Sequence, residues 1–239
     1  MLHHFLPPNI KNQRIFVFWW HVSHWAFLQP DFLTILSSDE TLRVNRFISD
    51  LVRTRFTIGR GLMRHILGYY THQQPQSLTF RYGSRGKPML DNTNFSFNLS
   101  HSEDVMLLAL AISPTIGVDV EHLVPMTEMR RVAGDYFSMN EQIALFSLSP
   151  EVQMDAFYRC WTRKEAYIKA RGDGFALPLD QFDVTLKPDE SPCLLRTLDD
   201  DYPDRWRFFH LDPTDDYMGA VCLPNGDWTL EMYQLTPSS

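Results

Sequence analysis

The sequence predicts a fold that contains both helices and strands, and three observations lead to that prediction. Residues 14–20 and 105–112 are almost continuously apolar, which is typical of buried strands. Residues 116–121 carry branched apolar side chains at every second position, the pattern of a strand with one buried face. Residues 152–171 contain neither proline nor glycine and are followed by Gly172, which favours a long helix.

Composition indicates an ordinary globular protein. The chain has 239 residues, of which 44% are hydrophobic and 21% charged, enough for one large domain or two small packed ones. Its formal net charge of −7 argues against general binding to nucleic acid. No apolar run approaches the roughly 18 residues of a membrane span, and the amino terminus lacks a basic, apolar leader. We therefore expect no membrane association and a cytoplasmic location.

The cysteines follow no metal or disulfide pattern. Cys160, Cys193 and Cys222 are odd in number and widely spaced, without a CxxC pair. We expect them to be reduced and structural.

Positive charge is concentrated in a predicted helical segment near the start of the chain. Residues 37–68 show helical patterning with a break near Ser49, and Ser37 and Glu40 have the spacing of a capping box. Ion pairing is the ordinary role of arginine there, but an anionic ligand would also prefer this region. Six arginines fall within 22 residues: Arg43, Arg46, Arg53, Arg55, Arg60 and Arg64.

Two carboxylates share one side of the predicted strand at residues 116–121. Alternation places Asp119 and Glu121 on the side opposite the branched residues, roughly 6.5 to 7 Å apart at the backbone. At that spacing both can reach one hard cation with their oxygens. The alternative is a strand that runs out into solvent, where acidic residues are common.

A third carboxylate and two lysines come from the predicted helix. At four-residue spacing Trp161, Glu165 and Lys169 line one face, and Lys164 lies beside them. Taken alone, Glu165 and Lys169 could form an ordinary exposed ion pair. Together with the strand carboxylates they would suit Mg²⁺ and a substrate phosphate.

At these residues the sequence resembles the larger, Sfp-like type of 4′-phosphopantetheinyl transferase. The resemblance rests on the order and spacing of Gly117-Val118-Asp119-Val120-Glu121 and Trp161-x-x-Lys164-Glu165-Ala166-x-x-Lys169. Gly86-Lys87-Pro88 and the strand that leads into Ser100-His101 match two further family motifs.

The resemblance implies a pseudo-duplicated α+β fold, in which two similar halves pack with the active site between them. We expect an amino-terminal half at residues 1–113 and a carboxyl-terminal half at residues 114–239. A chain that already contains both halves is expected to act as a monomer.

The resemblance also implies the reaction and its participants. Coenzyme A would donate its phosphopantetheine arm to a serine of an apo acyl or peptidyl carrier protein, releasing adenosine 3′,5′-bisphosphate. Asp119, Glu121 and Glu165 would hold Mg²⁺, and Lys164 and Lys169 would help to stabilise charge on the phosphate oxygens. The residues expected to hold the nucleotide end of coenzyme A are Arg43, Arg55, Lys87, Ser100 and His101.

Two glutamates differ from the other predicted site residues. Glu141 matches a family acidic residue that would help to deprotonate the carrier serine, although a metal-bound water could do so and Ser138 has capping-box spacing to it. Glu40 stands where the family has a lysine, so the chain departs from the family pattern in the region expected to contact phosphate.

Two other classes of protein fit part of the pattern. A magnesium-dependent nucleotide phosphohydrolase would use the same carboxylates but would release phosphate without an acceptor protein. A non-catalytic coenzyme A binding module could keep the arginines and Ser100-His101 but would not need three carboxylates.

Overall fold

The computed structural model describes residues 6–7, 9–83, 86–172, 177–198 and 201–237. The amino-terminal elements are β1 (Arg14–His21), α1 (Val22–Trp25), α2 (Gln29–Leu33), α3 (Ser38–Arg46), α4 (Asp50–Thr71), β2 (Phe80–Tyr82), β3 (Pro88–Leu90), β4 (Ser96–Ser102) and β5 (Val105–Ala111). The elements that follow are β6 (Gly117–His122), α5 (Met129–Tyr136), α6 (Met139–Phe146), α7 (Pro150–Arg171), β7 (Phe182–Val184), β8 (Leu194–Thr197), β9 (Trp206–Thr214), β10 (Tyr217–Pro224) and β11 (Thr229–Gln234). The predicted α+β class is confirmed.

Two larger sheets organise these elements. The first has the strand order β11-β1-β5-β4, with β11 parallel to β1 and the other neighbours antiparallel. The second has the order β6-β10-β9 and is antiparallel throughout. The two shorter hairpins are β2-β3 and β7-β8.

The first sheet is buried on both faces, which explains its continuous apolar sequence. Even-numbered β1 residues such as Phe16 and Phe18 pack in one core cluster with the α4 residues Leu62 and Ile66. Odd-numbered β1 residues, among them Val17, pack in a different cluster with residues of the second sheet. That second cluster packs the two sheets against each other.

The α7 helix covers the other face of the second sheet and lies very close to β6. A Cβ atom on Gly117 would collide with the carbonyl oxygen of Ala166 and the amide nitrogen of Ala170. Glycine therefore lets the backbones of β6 and α7 touch. The predicted helix end is confirmed, because Gly172 adopts a left-handed conformation with φ of 80°.

The predicted break between the first long helices is also confirmed, since α3 ends at Arg46 and α4 begins at Asp50. In the part of the chain that the structure describes, no helix has the length and apolar character needed to cross a membrane.

Candidate active site

The site is centred on an ion pair at the seam between β4, β6 and α7. The Lys169 ammonium of α7 lies 2.5 Å from Oδ1 of Asp119 on β6. Lys169 Nζ is also 3.0 Å from Oγ of Ser100 on β4, and that hydroxyl is 3.0 Å from the same Asp119 oxygen. The structure thus brings together three of the predicted residues from three separate elements.

Alternation along β4 and β6 builds this seam. Ser100 and Ser102 on β4 donate to Asp119 and Glu121 on β6, with distances of 3.0 and 2.8 Å. Asn98 accepts the backbone N–H of Val118 at 2.8 Å. Every second residue of β4 therefore contacts β6, and the sequence analysis did not assign Ser102 or Asn98 to the site.

The other two predicted carboxylates, Glu121 and Glu165, lie close enough to Asp119 for its charge to shift their pKa values. Burial, followed by the charge of Asp119, raises the pKa of Glu121 to about 7. The same two causes, in the same order, raise the pKa of Glu165. Among the residues that the structure describes, buried Asp119 Oδ2 has no hydrogen-bond partner. Full ionisation of all three carboxyl groups would therefore place more negative charge here than Lys169 alone can balance.

The negative charge of these carboxylates is relevant to the predicted Mg²⁺ site. Among the described residues, no three His, Cys, Asp or Glu side chains are already arranged to hold a metal ion. However, an unpartnered buried carboxylate oxygen and two carboxyl groups with raised pKa values form a donor set of the hard oxygen type that Mg²⁺ takes. The residue types and the charge balance of the cluster fit a divalent cation.

The arginines predicted to hold the nucleotide end contact other side chains of residues 1–113. Arg43 lies over the ring of Phe56, with its guanidinium carbon 5.1 Å from the ring centroid. Arg55 pairs with Glu103 at 2.7 Å. Burial and the charges of Lys169 and Arg55 lower the pKa of His101, so this imidazole is neutral near pH 7.

Lys87 forms a bridge to the opposite side of the seam. Its ammonium donates to the carbonyl oxygens of Ile116 and Lys169, each at 2.7 Å. Burial lowers the pKa of Lys87 to about 8. The side chain also lines a cavity of about 670 Å³ that includes Phe95 and Arg171.

A second cavity, of about 540 Å³, opens beside Glu121. Its wall includes Trp161, Phe157 and Tyr158 of α7 and Val124 of the loop after β6. Sequence reasoning missed this cavity because apolar residues from separate segments carry no signal of a shared surface.

The structure does not bring Lys164 and Glu141 to the carboxylate cluster. Lys164 is fully buried, and its ammonium lies 2.7 Å from Glu141 Oε2. Glu141 accepts the backbone N–H groups of Ser138 and Val184, so the capping interpretation is confirmed. Both side chains contact protein groups, and their roles toward phosphate and the carrier serine stay predictions.

Taken together, the seam has the character of an enzyme site for a phosphorylated substrate. It combines clustered carboxylates, a lysine and a neighbouring arginine, Arg55, where β4, β6 and α7 meet. Comparisons with known proteins identify the family.

Residues 115–222 match the family model described as the 4′-phosphopantetheinyl transferase superfamily. Residues 20–113 match the model described as 4′-phosphopantetheinyl transferase, N-terminal. The chain therefore belongs to the 4′-phosphopantetheinyl transferase superfamily, which confirms the resemblance seen in the sequence.

Two relatives, HetI and Sfp, agree with this placement. The chain is 38% identical over 231 residues to the 4′-phosphopantetheinyl transferase HetI of Nostoc sp. strain PCC 7120, an alignment that covers 93% of each protein. It is 29% identical over 208 residues to the 4′-phosphopantetheinyl transferase Sfp of Bacillus subtilis strain 168, covering 82% of this chain and 86% of that one. The crystal structure of Thermotoga maritima holo-[acyl-carrier-protein] synthase covers 46% of this chain and 62% of its own, with 19% identity and a TM-score of 0.37.

Proposed function

We propose that this protein transfers the 4′-phosphopantetheine arm of coenzyme A to a serine hydroxyl of an apo acyl or peptidyl carrier protein. The serine oxygen would form a new bond to the phosphorus that carries pantetheine, and the pyrophosphate P–O bond would break to release adenosine 3′,5′-bisphosphate. The contact that supports this proposal best is the Asp119–Lys169–Ser100 cluster, a charged, partly desolvated site in a chain of this family.

We propose Mg²⁺ as the cofactor, with Asp119, Glu121 and Glu165 as its ligands. The unpartnered oxygen of Asp119 and the raised pKa values of the two glutamates support this assignment, because a cation would offset their mutual repulsion. When bound, the ion would neutralise charge on the phosphate oxygens.

The chain's own cations would orient the substrate. Lys169 can leave Asp119 for a phosphate oxygen, because its side chain is 28% exposed whereas that of Asp119 is 5% exposed. Lys87, beside the 670 Å³ cavity, would hold the nucleotide end. The other residues proposed to contact coenzyme A are Arg43, Arg55, Ser100 and His101.

The first experiment is an intact-mass measurement of an apo carrier protein after incubation with the enzyme, coenzyme A and Mg²⁺. We expect a gain of one phosphopantetheine that a chelator abolishes. Glu165→Gln should lose this activity, whereas Glu151→Gln, an exposed change at the start of the same helix, should retain it. Near-normal transfer by Glu165→Gln would refute its assignment as a ligand.

The same assay separates the alternatives. Release of phosphate from nucleotides without carrier modification would identify a phosphohydrolase. Binding of coenzyme A with no reaction on several apo carriers would identify a binding module.

We also propose that residues 1–113 and 114–239 form the two halves and that the protein acts as a cytoplasmic monomer. The two family models, which end at residue 113 and begin at residue 115, support this division.

A further inference from the structure

Lys164 is a signature residue of the family motif, yet its contacts with the described residues are those of a structural group. The residue is 0% exposed. Its ammonium donates to the carbonyl oxygens of Leu179 and Phe182, each at 2.6 Å, and lies 4.2 Å from the ring centroid of Phe182. With Glu141 at 2.7 Å, these contacts provide an acceptor for each of the three ammonium protons.

The carboxylate that pairs with Lys164, that of Glu141, is also held by several protein groups. Glu141 is 2% exposed, and its Oε2 accepts the N–H of Ser138 at 2.9 Å as well as the ammonium of Lys164. Its Oε1 accepts the N–H of Val184 at 2.8 Å. The pair therefore joins three segments: the first turn of α6, the middle of α7 and residues 179–184.

This junction and the β6 contact hold α7 from different sides. At Gly117 the α7 backbone touches β6 directly, which sets the distance between the two elements. The Lys164–Glu141 pair anchors α7 to α6 and to residues 179–184, which sets the rotation of the helix about its axis. Successive helix residues point about 100° apart, so a fixed direction for Lys164 also fixes the direction of Glu165.

We propose that Lys164 and Glu141 form a positioning pair that sets the rotation of α7, and that neither side chain touches coenzyme A or the carrier serine. The inference rests on the proposed transferase function. Through the rotation of α7 the pair would direct Glu165 and Lys169 toward Asp119, where Lys169 makes its 2.5 Å contact. The contribution of the pair to the reaction is geometric.

The test is a double-mutant cycle with Lys164→Met, Glu141→Gln and the two changes combined. Each single change leaves one buried group without its charged partner, whereas the double change removes both charges. For each protein the kcat of transfer, the KM for the carrier and the Kd for coenzyme A in calorimetry are measured well below its melting temperature.

For a positioning pair, both single variants raise the Kd for coenzyme A by similar factors, because both misdirect Lys169, and both lose at least about tenfold in kcat. The fold loss in kcat of the double variant should be smaller than the product of the two single fold losses. Its fall in melting temperature should be smaller than the sum of the two single falls. A Kd that rises tenfold or more in Lys164→Met but not in Glu141→Gln would overturn the proposal, because that pattern marks a phosphate contact.

Two controls make the result specific. Arg159→Met removes another α7 cation, which donates to the backbone carbonyl of Leu186 at 3.1 Å. This variant should keep a kcat within about twofold of the wild-type value. If one single variant does not fold, the other single variant and the double variant still give a Kd for coenzyme A. If wild-type protein modifies no carrier, the proposed function fails, whereas coupling in the melting temperatures and in the Kd still tests the pair itself.

Discussion

Glu40 shows how one residue can depart from a family pattern for a structural reason. Its carboxylate accepts the backbone N–H of Ser37 at 3.0 Å and pairs with Arg64 at 2.7 Å. Arg60 lies 3.7 Å away on the other carboxylate oxygen. Glu40 is 2% exposed, so it joins α3 to α4 inside the protein and is not a surface ligand.

Glu40→Lys, which restores the family residue, should therefore destabilise this protein. A third cation beside buried Arg60 and Arg64 would lower the free energy of unfolding by about 3 to 5 kcal/mol, measured by urea denaturation. Glu103→Lys, which replaces an exposed glutamate that also pairs with an arginine, should cost less than about 1 kcal/mol. Unchanged stability with tighter coenzyme A binding in Glu40→Lys would contradict this structural role.

The contact between β6 and α7 shows how two elements create the site. Alternation puts Gly117, Asp119 and Glu121 on one face of β6. The helix touches that face at Gly117, and Lys169 of the same helix reaches Asp119. A shift of either element would therefore separate groups that are distant in sequence.

Gly117→Ala should open this contact. The added methyl group meets α7 backbone atoms that cannot move independently, so we expect a loss of about 1 to 3 kcal/mol in the free energy of unfolding and a strong loss of activity. Gly134→Ala in α5 is the matched control, since an added Cβ there would meet no described atom within 4 Å apart from those of its chain neighbours and its own helix backbone. At that position alanine should stabilise the helix by up to about 1 kcal/mol. Equal stability and activity of both variants would show that α7 is not held tightly against β6.

Lys87 supplies a pH dependence, because it ties the start of β6 to the end of α7. Burial lowers its pKa from 10.5 to about 8. Between these pH values the unfolded chain keeps the proton that the folded protein releases, so this residue makes stability rise with pH by at most about 1.4 kcal/mol per pH unit. Below pH 8 both states are protonated and the effect vanishes.

The measurement is the difference in unfolding free energy between wild type and Lys87→Met from pH 7 to pH 10. The difference should be constant up to about pH 8 and should then change in favour of wild type. A constant difference across the whole range would mean that the two carbonyl contacts keep Lys87 protonated.

At the scale of the whole molecule, the last strand ties the two ends of the chain together. β11 pairs in parallel with β1 along six positions from Arg14 to Trp19. Leu235, which is 1% exposed, then joins the core cluster of β1 and α4. The first sheet is thus completed by residues from beyond the second sheet.

Residues 1–113 expressed alone should therefore fail to fold. Without residues 114–239, β1 would become an unpaired edge, and its odd-numbered apolar face would lose the second sheet. Co-expression with residues 114–239 should restore a folded complex, as judged by gel filtration and circular dichroism. A stable, monomeric 1–113 fragment would contradict this expectation.

Secondary structure could be predicted from the sequence because it depends on residues that are neighbours along the chain. Period-two alternation predicted that Asp119 and Glu121 share a face, and the start and end signals of α7 predicted its extent to within two residues. The spacing of the two signature segments was sufficient to indicate the family.

The tertiary structure decided which faces meet. Helical periodicity placed Lys164 beside Glu165 and Lys169 but could not show that α6 and residues 179–184 would surround Lys164. Nor could it show that Ser102 would lie opposite Glu121, or that β11 would return to β1. A pattern in one segment records that a face is buried, whereas the partner of that face depends on how distant segments pack.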